Sequence, residues 1–181
     1  MKNRMTRAFG AKVRQAGFTA IEVIVVLIVA LGIIAMSAGK ITSLFGASDT
    51  ADEMANINTL LTNIKSIKTT SGYGAAATDL TATLTAINGI PKNITVTAGV
   101  MYNAWGGTIV PLSTGTGFTI TSNTLPMEVC IKIATKESKS GAFTSIKINA
   151  NALIVGEVTA AVATTQCNSA AANTLIFASA T

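Results

Sequence analysis

Few residues in this chain are equipped for chemistry. It has 181 residues, no His and two Cys, Cys130 and Cys167. Thiolate–imidazole and Ser–His pairs are therefore impossible, and a tetrahedral zinc site lacks its usual ligands. Glu128, Glu137 and Glu157 are scattered acids that read as solvated, with no carboxylate pair placed for general acid–base work. Gly106-Gly107-Thr108 is not followed by the Gly-Lys-Ser/Thr that a phosphate loop needs. The sequence therefore points to no catalytic residue, metal site or cofactor, and the chain reads as a non-enzyme. Two functional groups remain. The cysteines of an exported chain pair rather than stay free, which implies an oxidising compartment. Closing their loop adds about 4 kcal/mol in the chain-entropy model. The other group is Glu22, an acid just inside a long apolar run. An ionisable residue at the centre of a membrane helix costs roughly 2.5–3.5 kcal/mol and marks function by default. Near one end of the run the cost is smaller, so the segment still inserts while carrying a charge to be neutralised.

The elements that must position these groups are legible in the patterning. Residues 18–39 carry Glu22 as their one charge. As a helix they reach about 33 Å, enough to cross a hydrocarbon core. The segment before them is short and basic, with Lys2, Arg4, Arg7, Lys12 and Arg14 and no acid. By the positive-inside tendency it stays in the cytoplasm. Those five account for the whole net charge of +5: of 13 Lys and Arg, eight remain beyond Gly17, against eight Asp and Glu. The rest of the chain is formally neutral and offers no basic stripe to a phosphate backbone, so no nucleic-acid partner is expected.

Lys40, Asp49, Asp52 and Glu53 read as the entry into water. Beyond them Met54, Ile57, Leu60, Leu61, Ile64 and Ile67 recur at spacings of three and four, one face of an amphipathic helix. The pattern predicts one helix from Phe18 to about Thr69, loosened at Gly32, Gly39 and Gly46 and stopped by Thr70-Ser71-Gly72-Tyr73-Gly74. Leu80, Leu84 and Ile87 predict a short helix ending near Asn88-Gly89. Alternation at Ile94-Thr-Val-Thr, Thr108-Ile-Val, Phe118-Thr-Ile-Thr, Ser145-Ile-Lys-Ile and Asn173-Thr-Leu-Ile-Phe predicts strands. Residues 126–134 read as a helix with Pro126 in its first turn. Trp105 reads as a core residue anchoring a turn. The expected class is α+β, with the long N-terminal helix packed by its apolar face on an antiparallel sheet.

Gly17-Phe18-Thr19-Ala20-Ile21-Glu22-Val23, behind a basic leader and before an apolar helix, resembles the junction of a type IV prepilin. Asn103-Ala104-Trp105-Gly106-Gly107, Leu125-Pro126 with Cys130, and Cys167-Asn168-Ser169 followed by Asn173-Thr174-Leu175 are similar to type IVb pilins. The nearest resemblance is to the PilS-type major pilins of conjugative-plasmid thin pili. The resemblance implies the type IV pilin fold, with a C-terminal region bounded by the Cys130–Cys167 disulfide. It implies a leader, 1–17, cut between Gly17 and Phe18 by a prepilin peptidase, and N-methylation of the Phe18 amine. It further implies an apolar half-helix, 18–39, an amphipathic half-helix, 40–71, and a globular head, 72–181. Glu22 would pair with the terminal amine of a neighbouring copy during assembly. The implied partners are the chain itself in a helical homopolymer, an inner-membrane assembly platform, minor pilins, and the inner membrane before assembly. The implied destination is an extracellular filament used for adhesion, aggregation or mating contact.

The sequence departs from the family pattern in places. Ala20 stands where Leu is common, and Gly39 where many type IVa pilins have Pro. Type IVb leaders are often longer, and their first mature residue is often not Phe. Three rival readings stay open. One is a minor pilin or type II secretion pseudopilin. Another is a membrane-anchored adhesin that never polymerises. The last is a secretory signal cut after Ser37-Ala38-Gly39.

Overall fold

The run of Val, Ile, Leu and Ala after Thr19 holds no proline, and it forms helix α1, Ala20–Ser66. The computed structural model describes residues 19–180, and within α1 the side chains of residues 32–45 lie outside that description. Gly17 and Phe18, the expected cleavage and methylation positions, fall outside the described residues. The backbone of α1 continues through Gly32, Gly39 and Gly46, where the sequence suggested loosening. Each glycine costs about 1 kcal/mol of helix propensity relative to Ala, too little to break a helix of 47 residues. Among the described residues no helix is long and apolar enough to cross a membrane. The chain divides into two compact units, residues 1–44 and 45–181.

The second unit is the folded head. Residues 45–66 of α1 belong to it, and the predicted apolar stripe is its buried face. Ile57, Leu60 and Ile64 are fully buried, Leu61 nearly so, and Met54 and Ile67 pack at the margin. The helix ends as the Ile67 and Lys68 amides reach back three residues, to Ile64 and Lys65. Thr69 and Gly72 then close a tight turn on each other. Gly72 is required there: its φ is 101°, and a Cβ would lie 2.3 Å from the Gly115 carbonyl oxygen.

The remaining elements are α2 (Thr81–Ala86), β1 (Thr95–Thr97), β2 (Val100–Tyr102), β3 (Thr108–Ser113), β4 (Phe118–Leu125), α3 (Met127–Ser140), β5 (Ser145–Ile148), β6 (Ile154–Val155), α4 (Ala160–Gln166) and β7 (Asn173–Ser179). The strands form one sheet in the order β1-β2-β3-β4-β7-β5-β6, and every pairing is antiparallel. The last strand in the sequence thus inserts between β4 and β5. On β4 and β7 alternate residues are buried: Phe118, Ile120 and Ser122 on one, Asn173, Leu175, Phe177 and Ser179 on the other. Tyr73 packs edge-on against Phe118 with ring centroids 5.0 Å apart.

Four predicted elements are longer than the sequence indicated: β4 runs on to Leu125, β7 to Ser179, and β3 and α3 extend as well. β3 continues through Pro111 to Ser113, because β2 pairs only with Thr108 and Ile109 and no β2 acceptor stands opposite the missing amide. α3 continues past Ala134 to Ser140 and ends where Gly141 takes a left-handed φ of 67°. Pro126 stands just ahead of its first turn.

Candidate assembly site

The first site residue is Glu22, in the opening turn of α1. Thr19 precedes the helix, and its carbonyl oxygen accepts from the Glu22 and Val23 amides at 3.0 and 3.2 Å. The Thr19 hydroxyl also accepts from the Glu22 amide, at 3.4 Å, so Thr19 serves as the cap. An acid in this turn lies along the favourable end of the helix dipole. Around it the side chains are apolar and uncovered: Ile21 is 75% exposed and Leu31 64%, with Val23, Ile24, Val25, Val26, Leu27, Ile28 and Val29 all exposed between them. A continuous apolar surface of this kind marks contact with lipid or with protein.

The second group of site residues lies in the head. Cys130 of α3 and Cys167, directly after α4, form a disulfide across a Cα separation of 6.0 Å. The turn leading into α4 is set by Thr159, whose side chain accepts from the Val162 amide. Neither α4 nor the two-residue β6 was legible in the sequence, although Thr159 is a cap signal.

The three short motifs of the head meet at one end of the sheet. Asn103 uses all of its hydrogen-bonding capacity. Its Oδ1 accepts from the Trp105 and Gly107 amides, and its Nδ2 donates to Ser122 Oγ and to the Asn123 carbonyl oxygen. Gly107 fits only because it has no side chain; a Cβ would lie 1.9 Å from the Asn123 oxygen. Trp105 is partly buried against the core, as its turn-anchoring role required. The β4–β7 ladder shifts register between Ser122 and Leu125. Asn123 stands at this irregularity, with Nδ2 donating to Thr108 Oγ1 and Oδ1 accepting from the Thr174 hydroxyl. The Thr174 amide donates to Asn149 Oδ1, and Asn149 Nδ2 donates to Asn173 Oδ1 and to the Gln166 carbonyl oxygen. Asn173, fully buried, donates through Nδ2 to the carbonyls of Leu125 and Ser169 and accepts the Ser169 amide. A continuous polar relay thus runs from the Asn-Ala-Trp-Gly-Gly turn to the segment after Cys167. No single spacing in the sequence announces it, because its members come from strands far apart in the chain.

The relay reaches α1 through Glu53. Ser122 Oγ donates to Glu53 Oε1 at 2.7 Å. Here the structure corrects the sequence reading, which placed Glu53 at the entry into water: the residue is 1% exposed. Glu53 lies four residues before Ile57 and seven before Leu60, on the buried stripe, so helical position overrides its polarity. Glu137 is a parallel correction. It was read as solvated, yet it is 4% exposed, seven residues after Cys130 and four after Ile133 on the inner face of α3. Its Oε1 accepts from Asn58 Nδ2 of α1 at 3.0 Å. Burial pushes both carboxyls above their ordinary value, and the single hydrogen bond each accepts offsets this in part. Asn63 adds a third tie from α1, donating to the Gly89 carbonyl oxygen at 2.7 Å. Glu128 and Glu157 do face solvent, paired with Lys132 and Lys139.

Comparison with known proteins meets this arrangement at the level of both sequence and fold. The family model described as PilS N terminal matches residues 47–180. The crystal structure of a type IVb pilin from Salmonella typhi is 33% identical, covering 70% of this chain and 97% of that one, with a TM-score of 0.61. An NMR structure of the type IVb pilin PilS from Salmonella typhi is 34% identical, covering 72% and 95%, with a TM-score of 0.50. The crystal structure of TcpA, a type IV pilin from Vibrio cholerae El Tor biotype, shares 14% identity and a TM-score of 0.53 over 72% of this chain and 98% of that one; it speaks for the fold alone. No curated protein sequence matches the chain.

Proposed function

The chain belongs to the PilS family of type IVb pilins, and from that membership we propose that it is the major subunit of a type IVb pilus. It is a structural subunit; its work is assembly. The observation that carries the reading is the bare apolar surface of α1 from Ile21 to Leu31, which holds one acid. The precursor sits in the inner membrane with residues 1–17 in the cytoplasm and the head in the periplasm. A prepilin peptidase cuts between Gly17 and Phe18, and the new Phe18 amine is N-methylated.

Glu22 then has a partner. In the low dielectric of a helix bundle a carboxylate and an ammonium are each costly until they meet. A copy joining out of register leaves both uncompensated, so the pair acts on register more than on affinity. Apolar half-helices leaving lipid gain little hydrophobic energy, and packing with the Glu22–amine pair has to select the arrangement. The head-to-tail contact between copies does not close, so a filament grows, with heads on the outside. An assembly platform and minor pilins act on this filament, and its use is adhesion, aggregation or mating contact.

The test is Glu22→Ala. Surface fibres visible by electron microscopy are expected to disappear, while export and the Cys130–Cys167 disulfide persist. Normal filaments in that variant defeat the pairing role. Mass spectrometry of sheared fibres reads the rest: a subunit that starts at methylated Phe18 supports the cleavage, and one that starts near Ala38 or Gly39 rejects it.

A further inference from the structure

We propose that Glu53 and Glu137 form a two-carboxyl latch that fastens residues 45–66 of α1 to the rest of the head, tight in mild acid and weaker toward neutral pH. The geometry is reciprocal. One carboxyl comes from α1 and meets a donor on β4; the other comes from α3 and meets a donor on α1. In each, Oε1 is hydrogen-bonded and Oε2 is buried without a partner. A neutral acid tolerates that arrangement. A carboxylate does not, because its charge is spread over both oxygens and one of them is sealed from bulk solvent with no protein donor.

No positive charge answers either group. The ion pairs among the described residues are Lys132–Glu128 and Lys139–Glu157, both on the solvent side of the head. On α1 the charged neighbours of Glu53 are Asp49 and Asp52, of its own sign. On α3, Lys136 adjoins Glu137 in sequence, and its side chain forms no ion pair. Strands β3, β4 and β7 carry no charged residue, and β5 carries Lys147. The raised values of both carboxyls have burial as their largest cause and no charge among their causes.

The direction of the pH effect follows. An unfolded chain releases these protons near the ordinary value of 4.5. The folded head holds them to higher pH. Between the two, folding is linked to proton uptake, so stability is greatest below about pH 4.5 and falls as pH rises. The ratio of folded to unfolded chain changes about tenfold for each pH decade in which one carboxyl keeps its proton only in the folded state.

The test uses the full chain in detergent micelles. Denaturant unfolding at about pH 5 and about pH 7.5 is expected to show the folded-to-unfolded ratio falling at least ~5-fold at the higher pH. Gln reproduces the neutral acid, so Glu53→Gln with Glu137→Gln is expected to flatten that dependence. Carboxyl carbon-13 titration of the unaltered chain reads the same property without any substitution: two resonances titrate above the ordinary range. Hydrogen exchange then locates the effect, with the amides of Ile57, Leu60 and Ile64 exchanging faster at the higher pH after correction for intrinsic rates. Stability that rises with pH, a double variant that keeps the original slope, or two carboxyls that titrate at their ordinary value each overturn the latch. A double variant that fails to fold leaves the carbon-13 titration and the exchange pattern to decide.

Discussion

Helix α1 handles its apolar side chains in two ways. In residues 21–31 they are bare, with Ile21 75% and Leu31 64% exposed; in residues 53–64 one face is sealed, with Ile57, Leu60 and Ile64 at zero. Each stretch also carries one acid of note. Glu22 is exposed among aliphatic neighbours, whereas Glu53 is 1% exposed and held by Ser122. The difference lies in what each stretch has been given as a partner. The C-terminal part has a sheet with matching apolar strands, and three of its polar members, Glu53, Asn58 and Asn63, each find a hydrogen-bond partner elsewhere in the head. The N-terminal part has a helix cap and no more. A chain designed to stand alone would not leave nine large aliphatic residues uncovered, so the first stretch is completed by lipid or by other copies and the second is complete already.

Truncating the sealed stretch breaks the comparison most sharply. Leu60→Ala leaves a cavity between α1 and the sheet and is expected to cost about 2–5 kcal/mol of head stability. The chain has one Trp. Its indole, on Trp105 at the far end of the polar relay, reports the unfolding by fluorescence in denaturant. Second in size is the disulfide. Replacing Cys130 and Cys167 together by Ser is expected to lower stability by about 2–5 kcal/mol, measured the same way. Asn173→Ala comes third, at about 1–3 kcal/mol, because the Leu125 carbonyl, both Ser169 backbone groups and Asn149 Nδ2 lose a buried partner at once. If Asn173→Ala costs more than the cysteine pair, the relay and not the covalent bond is the main closure of the C-terminal region.

The contrast between the two stretches was partly legible in the sequence. Periodicity gave the sealed face residue by residue, because Ile57, Leu60, Leu61 and Ile64 are apolar and obey the helical period. It does not flag Glu53 and Glu137, which obey the same period but are acids, because polarity points to solvent where helical position points inward. Strand alternation found β4, β5 and β7, whose buried residues include the large apolar Phe118, Ile120, Ile146 and Phe177. It could not find β6, two residues long with Val155 77% exposed, or α4, whose one buried residue is Ala163. The asparagine relay was invisible as a network. Asn103, Asn123, Asn149 and Asn173 lie far apart in the sequence, and only the order of the sheet brings them together. Glu22 and the cysteines stood out because their residue types are rare in their surroundings, which needs no knowledge of the fold.

The smallest expected effect is the most discriminating. Val26 is 57% exposed in the bare stretch. Val26→Ala removes two methyl groups from an exposed side chain outside the head's own compact unit, so head stability should stay within about 0.5 kcal/mol of the original. Tryptophan fluorescence in denaturant checks this directly. Loss of head stability comparable to Leu60→Ala would mean that the first stretch is held by the head after all. In the filament the same change is expected to tell. Aliphatic side chains leaving lipid for a bundle gain by close packing and not by escape from water, so two missing methyl groups per copy thin every contact along the fibre. Val26→Ala filaments should shear at lower force or form in lower yield, read by electron microscopy and pelleting. A variant neutral in the head and damaging in the fibre is the signature of a helix that folds by one half and assembles by the other.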